Sequence, residues 1–538
     1  MARASSAARA SRADETGPSA QPHRTAALRL PSRRWLALAV LCLPLLIVSL
    51  DNTVLNVVLP TLVRKLGASD SELQWIVDAY VLVFGGLLLA AGSLADRIGR
   101  KRTFLAGLLA FAAGSTWAAF SGTVAVLIAA RASMGIGAAL IMPSTLAIIT
   151  DLFGNEDERQ RAFGFWAGTT GAGVALGPIV GGLLLAHFWW GSVFLINVPV
   201  ALLGFAVAIP LLPDSRDLGA PRPDLVGVLL SVGGIGLLLW AVIEAPVSGW
   251  SSAPVLCGGL GGAAVLVAFL AFEHHISHPM LNLELFKRRR FSIAITSDGL
   301  LAFGLYGALF VITQLLQFQL GYTPLQAGIR VLPAAGAIAL VAPLSTLLLR
   351  KIGPKLTVSA GSLVVAAGLW QISQATAGST FLDVLPGMVM LGLGAGLVIP
   401  SATGAVMGSL PAAHTGIGSA TNSSFMQVGG ALGVAVIGSL LSTRYEHRLT
   451  AALASRHLPH AISEALIRSL GGALEVARQV GGAAGRMLAT AAREAFMSGL
   501  GLGMVAAACV AAAGAALALA LLPQRGPAAA DRDEGLGD

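Results

Sequence analysis

A carboxylate, Asp51, sits inside an apolar run that begins at Trp35, in the string LDNTVLNVVLP at residues 50–60. Two further charges share that setting: Asp78 in WIVDAY at 75–80, and Arg131 in the run 124–150. A bare charge at membrane depth costs a few kcal/mol or more, so ionisable side chains within such runs face a cavity and mark an ion or substrate path. Desolvation disfavours the charged form of a carboxyl, which suits Asp51 to carrying a proton reversibly. A guanidinium at similar depth needs an acceptor, and an adjacent Asp would both satisfy it and be tuned by it. The rival reading of Arg131 is snorkelling to the nearer surface. The chemistry on offer is proton exchange and attraction of cations.

The elements that must position these charges are membrane helices. A helix needs roughly 20 apolar residues to cross a bilayer, and runs of about that length are expected at 35–59, 73–95, 103–122, 124–150, 161–185, 190–212, 225–244, 254–272, 291–319, 325–349, 355–374, 382–410, 416–442 and 497–522. The fold class is thus all-α and polytopic, with 14 transmembrane helices. At 1.5 Å per residue, Asp51 lies roughly 13 Å from the outer end of the first helix, Asp78 roughly 8 Å into the second, and Arg131 roughly 10 Å into the fourth. All three fall in the outer half and can share one cavity if their faces point together.

Composition agrees: 55% of the 538 residues are hydrophobic and 12% charged, far from soluble domains. The net charge of +8 does not imply nucleic acid, because Lys and Arg cluster between apolar runs, where topology accounts for them. With the N-terminus cytoplasmic, the inner loops 96–102, 151–161, 213–224, 273–290 and 350–355 hold the basic residues, whereas the short outer loops hold only Arg64 and Lys65. Both termini are therefore expected in the cytoplasm. The segment 443–496 would be external despite its seven arginines. Its Ala, Leu, Arg and Glu content suggests amphipathic helices around Gly471 and Gly481, as an interfacial loop or as a gate. Cys42, Cys257 and Cys509 lack metal or disulfide spacing and read as small core residues. His274, His275 and His278 beside Glu273 are a weak metal candidate, more simply read as a loop cluster.

Residues 92–102 read GSLADRIGRKR and join the second and third helices. Gly92 and Gly99 permit close helix approach and a sharp turn. Asp96 can cap a neighbouring helix, and Arg100 can pair with Asp151 at the end of the fourth. A fainter copy, KIGPK at 351–355, follows eight helices later with Arg350 where Asp96 would align. Such repetition is common in transporters whose site lies between two bundles.

The first of these loops resembles the G-x-L-A-D-R-x-G-R-K signature of the major facilitator superfamily. The resemblance implies a major facilitator fold, with two six-helix bundles and here an inserted helix pair, and a conformational latch formed by Gly92, Asp96, Arg97, Gly99, Arg100 and Asp151. The domains expected are a disordered tail 1–34, a first bundle 35–212, a linker with two extra helices 213–290, a second bundle 291–522 that includes the loop 443–496, and a tail 523–538. GVALGPIVGG at 173–182 is similar to the family's antiporter motif, through Gly173, Gly177, Pro178 and Gly181. Independently, glycines at four-residue spacing allow close packing, and Pro178 frees a backbone carbonyl. RASMGIGAA at 131–139 resembles the fourth-helix motif with its buried arginine. The string around Asp51 resembles the first-helix motif of 14-helix drug:proton antiporters, and WIVDAY and WGSVFLINVP (190–199) are similar to the subgroup exporting quaternary ammonium compounds and methyl viologen.

This resemblance implies a proton-coupled multidrug exporter of lipophilic cations in the cell membrane, monomeric, driven by the proton motive force without a cofactor or metal. Asp51, Asp78, Arg131 and Asp298 are the candidates for proton coupling and substrate binding. Proton and cation would compete for Asp51, and divalent substrates would call on Asp78 as well. Asp298, near the inner end of its helix, and Arg330, near the outer end of the next, can line the cavity or stand as charges beside loops. Asn422 and Gln427 can hydrogen-bond across helices or to substrate. The alternative within the superfamily is a neutral or endogenous substrate. Enzymatic and ATP-driven readings find no support: there is no Gly-Lys dipeptide for a P-loop, no HExxH and no GxSxG.

Overall fold

The computed structural model describes residues 31–216, 223–276, 279–410, 415–454 and 466–524. The expected terminal tails lie outside these residues, save Pro31 to Arg34 and 523–524, and so does His278. All regular structure among the described residues is helical. The helices are α1 (Pro31–Leu66), α2 (Asp70–Ile98), α3 (Arg100–Ala119), α4 (Val124–Leu152), α5 (Glu156–His187), a single turn α6 (Ser192–Leu195), α7 (Asn197–Leu211), α8 (Leu225–Ser248), α9 (Ala253–His275), α10 (Arg289–Gln314), α11 (Pro324–Ser373), α12 (Phe381–Met407), α13 (Thr415–Leu453), α14 (Leu470–Val480) and α15 (Gly482–Leu521).

Their starts are written in cap chemistry. Ser69 accepts from the Glu72 amide while Glu72 accepts from the Ser69 amide, a reciprocal box that opens α2. Thr323 and Gln326 open α11 with the same reciprocal box, Thr123 opens α4 by accepting from the Val126 amide alone, and Asn155 takes two amides of α5. Between α2 and α3 the loop is one residue, Gly99, at φ 124°, a conformation that only glycine adopts without strain. Gly353 at φ 78° breaks α11 into two spans in the same way.

Among the described residues, thirteen helices are long and apolar enough to cross a membrane. The twenty-residue α3 stands apart, its apolar run diluted by three basic residues at its start and by Gly107, Gly114, Ser115 and Thr116. The protein is a multi-pass membrane protein. Helices α1 to α5 and α7 pack chiefly on one another, as do α10 to α13 and α15. The two most extensive crossings between the sets are α2 on α13 and α5 on α11. The inserted pair α8 and α9 packs together, with α8 laid along α2 and α13.

Two expectations change here. Much of 443–496 is helix rather than loop, because α13 continues to Leu453 and α15 begins at Gly482. Ala, Leu, Arg and Glu are strong helix formers, so these helices run on past the apolar stretch that hydropathy detects. The amphipathic helix is α14, with Leu470, Gly471, Ala473 and Ala477 buried and Glu475 ion-paired to Arg478 on the outside. Cys257 and Cys509 are exposed rather than in the core, on outward faces where a small apolar side chain meets lipid at no cost.

Candidate functional site

Arg131 and Asp51 form a buried ion pair, their side chains 1% and 0% exposed. Arg131 Nη1 donates to Asp51 Oδ2, and Nε donates to the Ile76 carbonyl at 3.1 Å. The guanidinium lies over the Tyr80 ring, 4.3 Å from its centroid. Asn197, the first residue of α7, donates to Asp51 Oδ1 at 3.2 Å and to Ser115 Oγ at 3.3 Å. Five helices, α1, α2, α3, α4 and α7, thus converge on one carboxylate, and both its oxygens are engaged. Snorkelling of Arg131 is excluded: it points inward.

Asp78 is the opposite case. It is wholly buried, yet neither carboxyl oxygen has a hydrogen-bond partner. It lines a cavity of about 20 Å³ together with Asn52, Asn56, Val81, Arg131 and Tyr306. That volume holds about one water molecule, whereas pockets for drug-sized ligands run to several hundred Å³. The two halves of the molecule are therefore closed upon each other at this level. Three of the sequence-predicted charges meet as expected, but not equivalently. Asp51 does not line the cavity, because Arg131 and Asn197 occupy both of its oxygens.

Asp298 and Arg330 do not line this cavity either. Asp298 lies in α10 toward the end that carries the basic loops. It accepts from Asn422 Nδ2 at 3.0 Å and from Thr403 Oγ1 at 3.2 Å. Arg330 lies 3.7 Å from the centroid of the Tyr322 ring and donates to the Gln326 carbonyl at 3.2 Å, so aromatic stacking holds it at its own helix end. Gln427 packs at the α2–α13 crossing, where a Cβ on Gly85 would lie 2.8 Å from its own.

At the basic end, Arg100 binds Asp96 at 2.9 Å and Asp151 at 2.5 Å, while Ser215 donates to the second oxygen of Asp151 at 2.5 Å. Asp96 turns to Arg100 rather than to a helix terminus. Arg97 is exposed, and Gly92 packs near Pro143 of α4. These contacts tie α2, α3, α4 and the chain after α7 together; they lie within the first half instead of bridging the two. The physical reason is reach: with a one-residue loop at Gly99, Arg100 starts α3 directly beside the end of α4. In the second copy of the motif, the Arg350 side chain lies outside the described residues.

The antiporter-type segment makes two interfaces. Gly173, Gly177 and Gly181 face α1 so closely that a Cβ on Gly173 would sit 2.7 Å from the Leu46 carbonyl oxygen. A Cβ on Gly177 would collide with Thr53 Oγ1. One turn on, Gly182 meets the backbone of Leu325, and Gly328 meets the carbonyl of Pro178, which brings α5 and α11 into backbone contact.

Four contributors lie outside the sequence-predicted site residues, two with a weak sequence signal and two with none. Asn197 was visible as an amide in an apolar run, and Tyr80 as a ring two residues from Asp78. Ser115 and Thr403 had no signal, since hydroxyls are common in membrane helices where they bond their own backbone. Among the described residues no three His, Cys, Asp or Glu side chains come together, and His278 of the weak metal candidate lies outside them. His274 and His275 merely stack edge to face.

With this geometry in view, residues 41–434 match the model of the Major Facilitator Superfamily. The chain is 36% identical over 473 residues to the multidrug efflux pump LfrA of Mycolicibacterium smegmatis, covering 88% of this chain and 93% of that one. It is 34% identical over 470 residues to the methyl viologen resistance protein SmvA of Salmonella typhimurium, covering 86% and 93%. Among solved structures, an inward-facing, unoccupied bacterial homologue of the human lysosomal transporter Spinster superposes with a TM-score of 0.62 at 17% identity, covering 92% of this chain and 98% of that one. Helical architecture, paired bundles, family model and relatives agree: this chain is a membrane transporter, not an enzyme, and belongs to the major facilitator superfamily.

Proposed function

We propose that the protein exports lipophilic cations in exchange for protons, with the end bearing Arg97 to Arg102 in the cytoplasm. The observation that carries this reading is Asp78, a fully buried carboxyl with neither oxygen partnered, beside a guanidinium whose charge is spent on Asp51. Such a carboxyl is tolerable only as the neutral acid or with a cation beside it. Tyr306 and the aliphatic wall of Val77, Val81 and Val434 would meet an apolar body once the halves separate. Similarity to LfrA and SmvA supports multidrug and methyl viologen efflux as the class.

Coupling follows from charge balance. A proton arriving from outside on Asp51 removes the counter-ion of Arg131, and the guanidinium, already lining the cavity, turns to Asp78. A cation held there is displaced outward. Loss of the proton to the cytoplasm restores the Arg131–Asp51 pair and frees Asp78 for the next cation. Proton and cation thus compete through Arg131 rather than for one carboxylate. The latch Asp96–Arg100–Asp151 would hold one of the two conformations.

The test is efflux of ethidium and methyl viologen from vesicles with an imposed pH gradient. Wild type should pump uphill; Asp51→Asn, in which Arg131 has no counter-ion but Asp78, should neither hold dye nor pump. Uphill pumping by Asp51→Asn at the normal rate would overturn the coupling scheme, and efflux of neutral compounds alone would overturn the substrate class.

A further inference from the structure

Asp298 is completely buried in α10, and the scheme above does not use it. Its Oδ2 accepts from Asn422 of α13 and Thr403 of α12, and Asn422 Nδ2 also reaches Thr403 Oγ1 at 3.4 Å. Its Oδ1 has no partner and no solvent contact. No cation faces it. Residues 291–297 of α10 and 415–430 of α13 contain no acid or base, α12 contains only Asp383 at its far end, and α15 contributes only apolar residues where Gly514 meets Leu300. The nearest basic group on its own helix, Arg290, lies two turns away against Gly408. A carboxyl engaged on one oxygen by two neutral donors, bare on the other and remote from any cation is built to hold a proton on the bare oxygen.

Its position gives that proton a route. Asp298 is nine residues from the start of α10, about 13 Å from the basic end, and eight residues, about 12 Å, from Tyr306 in the cavity wall. It stands between the basic end and the cavity, on the half of the molecule that lacks the Asp51–Arg131 pair. Asn422 and Thr403 join three helices of that half, α10, α12 and α13, at the acid. An ionised Asp298 keeps both donors and gains a charge that must be hydrated, which favours separation of these helices from the closed arrangement.

We propose that Asp298, seated by Thr403 and Asn422, is a second proton-carrying site, so that each cycle moves two protons: one through Asp51 and one through Asp298. The proposal rests on the exporter reading and adds a number to it. Export of a monovalent cation then moves net charge, whereas export of a divalent cation is electrically neutral.

The experiment measures the steady ethidium gradient held by reconstituted protein at a one-unit pH gradient, with the membrane potential clamped at zero. Each proton contributes a factor of about ten, so two protons hold about a hundredfold gradient and one proton about tenfold. Wild type and Asp298→Glu should hold about a hundredfold, and Asp298→Asn about tenfold. Should Asp298→Asn not be recovered folded, Asp298→Ser reads the same quantity with a smaller side chain. A tenfold gradient in wild type overturns the second site whatever the variants do. So does a hundredfold gradient in a folded Asp298→Asn, or a folded variant that holds none, since the residue would then serve all coupling. A wild-type protein that builds no ethidium gradient while transporting neutral compounds would instead refute the exporter reading.

Discussion

Thr53 donates its hydroxyl hydrogen to the carbonyl of Val174, 3.0 Å away across the α1–α5 interface. Val174 stands four residues before Pro178, which has no N–H, so this carbonyl has no helical partner of its own. The proline bend and the threonine are complementary: one exposes an acceptor at membrane depth and the other satisfies it from a helix that also carries Asp51. The contact is possible because Gly173 and Gly177 bring the two backbones together.

Thr53→Val keeps the shape and removes the donor. The loss should be about 1 to 2 kcal/mol, the cost of an unsatisfied buried carbonyl, read as a lower melting temperature in detergent with ethidium binding preserved. Gly177→Ala should do more. Its methyl would occupy the place of Thr53 Oγ1, so transport should fall at least tenfold even where the protein is recovered in normal yield.

The Arg131–Asp51 pair calls for a double-mutant cycle. Removing one member of a buried ion pair leaves an uncompensated charge and costs about 3 to 5 kcal/mol, so Arg131→Met should be severely destabilised. Adding Asp51→Asn should restore most of that loss without restoring transport. If the double variant is no more stable than the single one, the pair does not carry the interaction its geometry indicates.

Because Asp51 is covered by Arg131 and Asn197, Asp78 is the acid that meets the cavity. Asp78→Asn is therefore expected to lose monovalent and divalent cations alike, by at least tenfold in equilibrium binding measured by dye fluorescence. Loss of divalent substrates alone would mean that Asp51 reaches the cation directly in another conformation.

The legibility of this chain follows the spacing of its parts. Asp51, Arg131, Gly177 and Pro178 each sit in a short contiguous motif, so type and neighbours mark them before any fold is known. Depth along each helix was also readable, since rise per residue is constant, and it placed Asp51, Asp78 and Arg131 at one level. Rotation about each helix was not, and rotation decides that Asp78 faces the cavity while Asp51 faces Arg131. The trio Asp298, Thr403 and Asn422 was readable only in part, because its members come from three helices and two of them are ordinary polar residues until packed together. Helix ends escaped for another reason: hydropathy marks the membrane-embedded part of α13 and α15, not the turns of Ala, Arg and Glu that continue beyond it.

The amphipathic helix α14 lies at the end opposite the basic loops, where the two halves are also joined by Gln317 Nε2 donating to the Val57 carbonyl at 2.9 Å. Gly471 of α14 sits between Val63 of α1 and Phe318, in the π-helical turn Leu315–Gln319 that follows α10, and a Cβ there would lie 2.7 Å from one and 2.6 Å from the other. The helix bridges the tips of both halves on the side through which a displaced cation would leave. Gly471→Leu should force α14 off this seat and weaken closure at that end while leaving the Asp51–Arg131 pair untouched. The expected result is unchanged ethidium binding with a proton leak in vesicles that does not need substrate, measured as faster collapse of an imposed pH gradient. A variant as tight to protons as wild type would show that Gln317 and the α5–α11 contact close that end without α14.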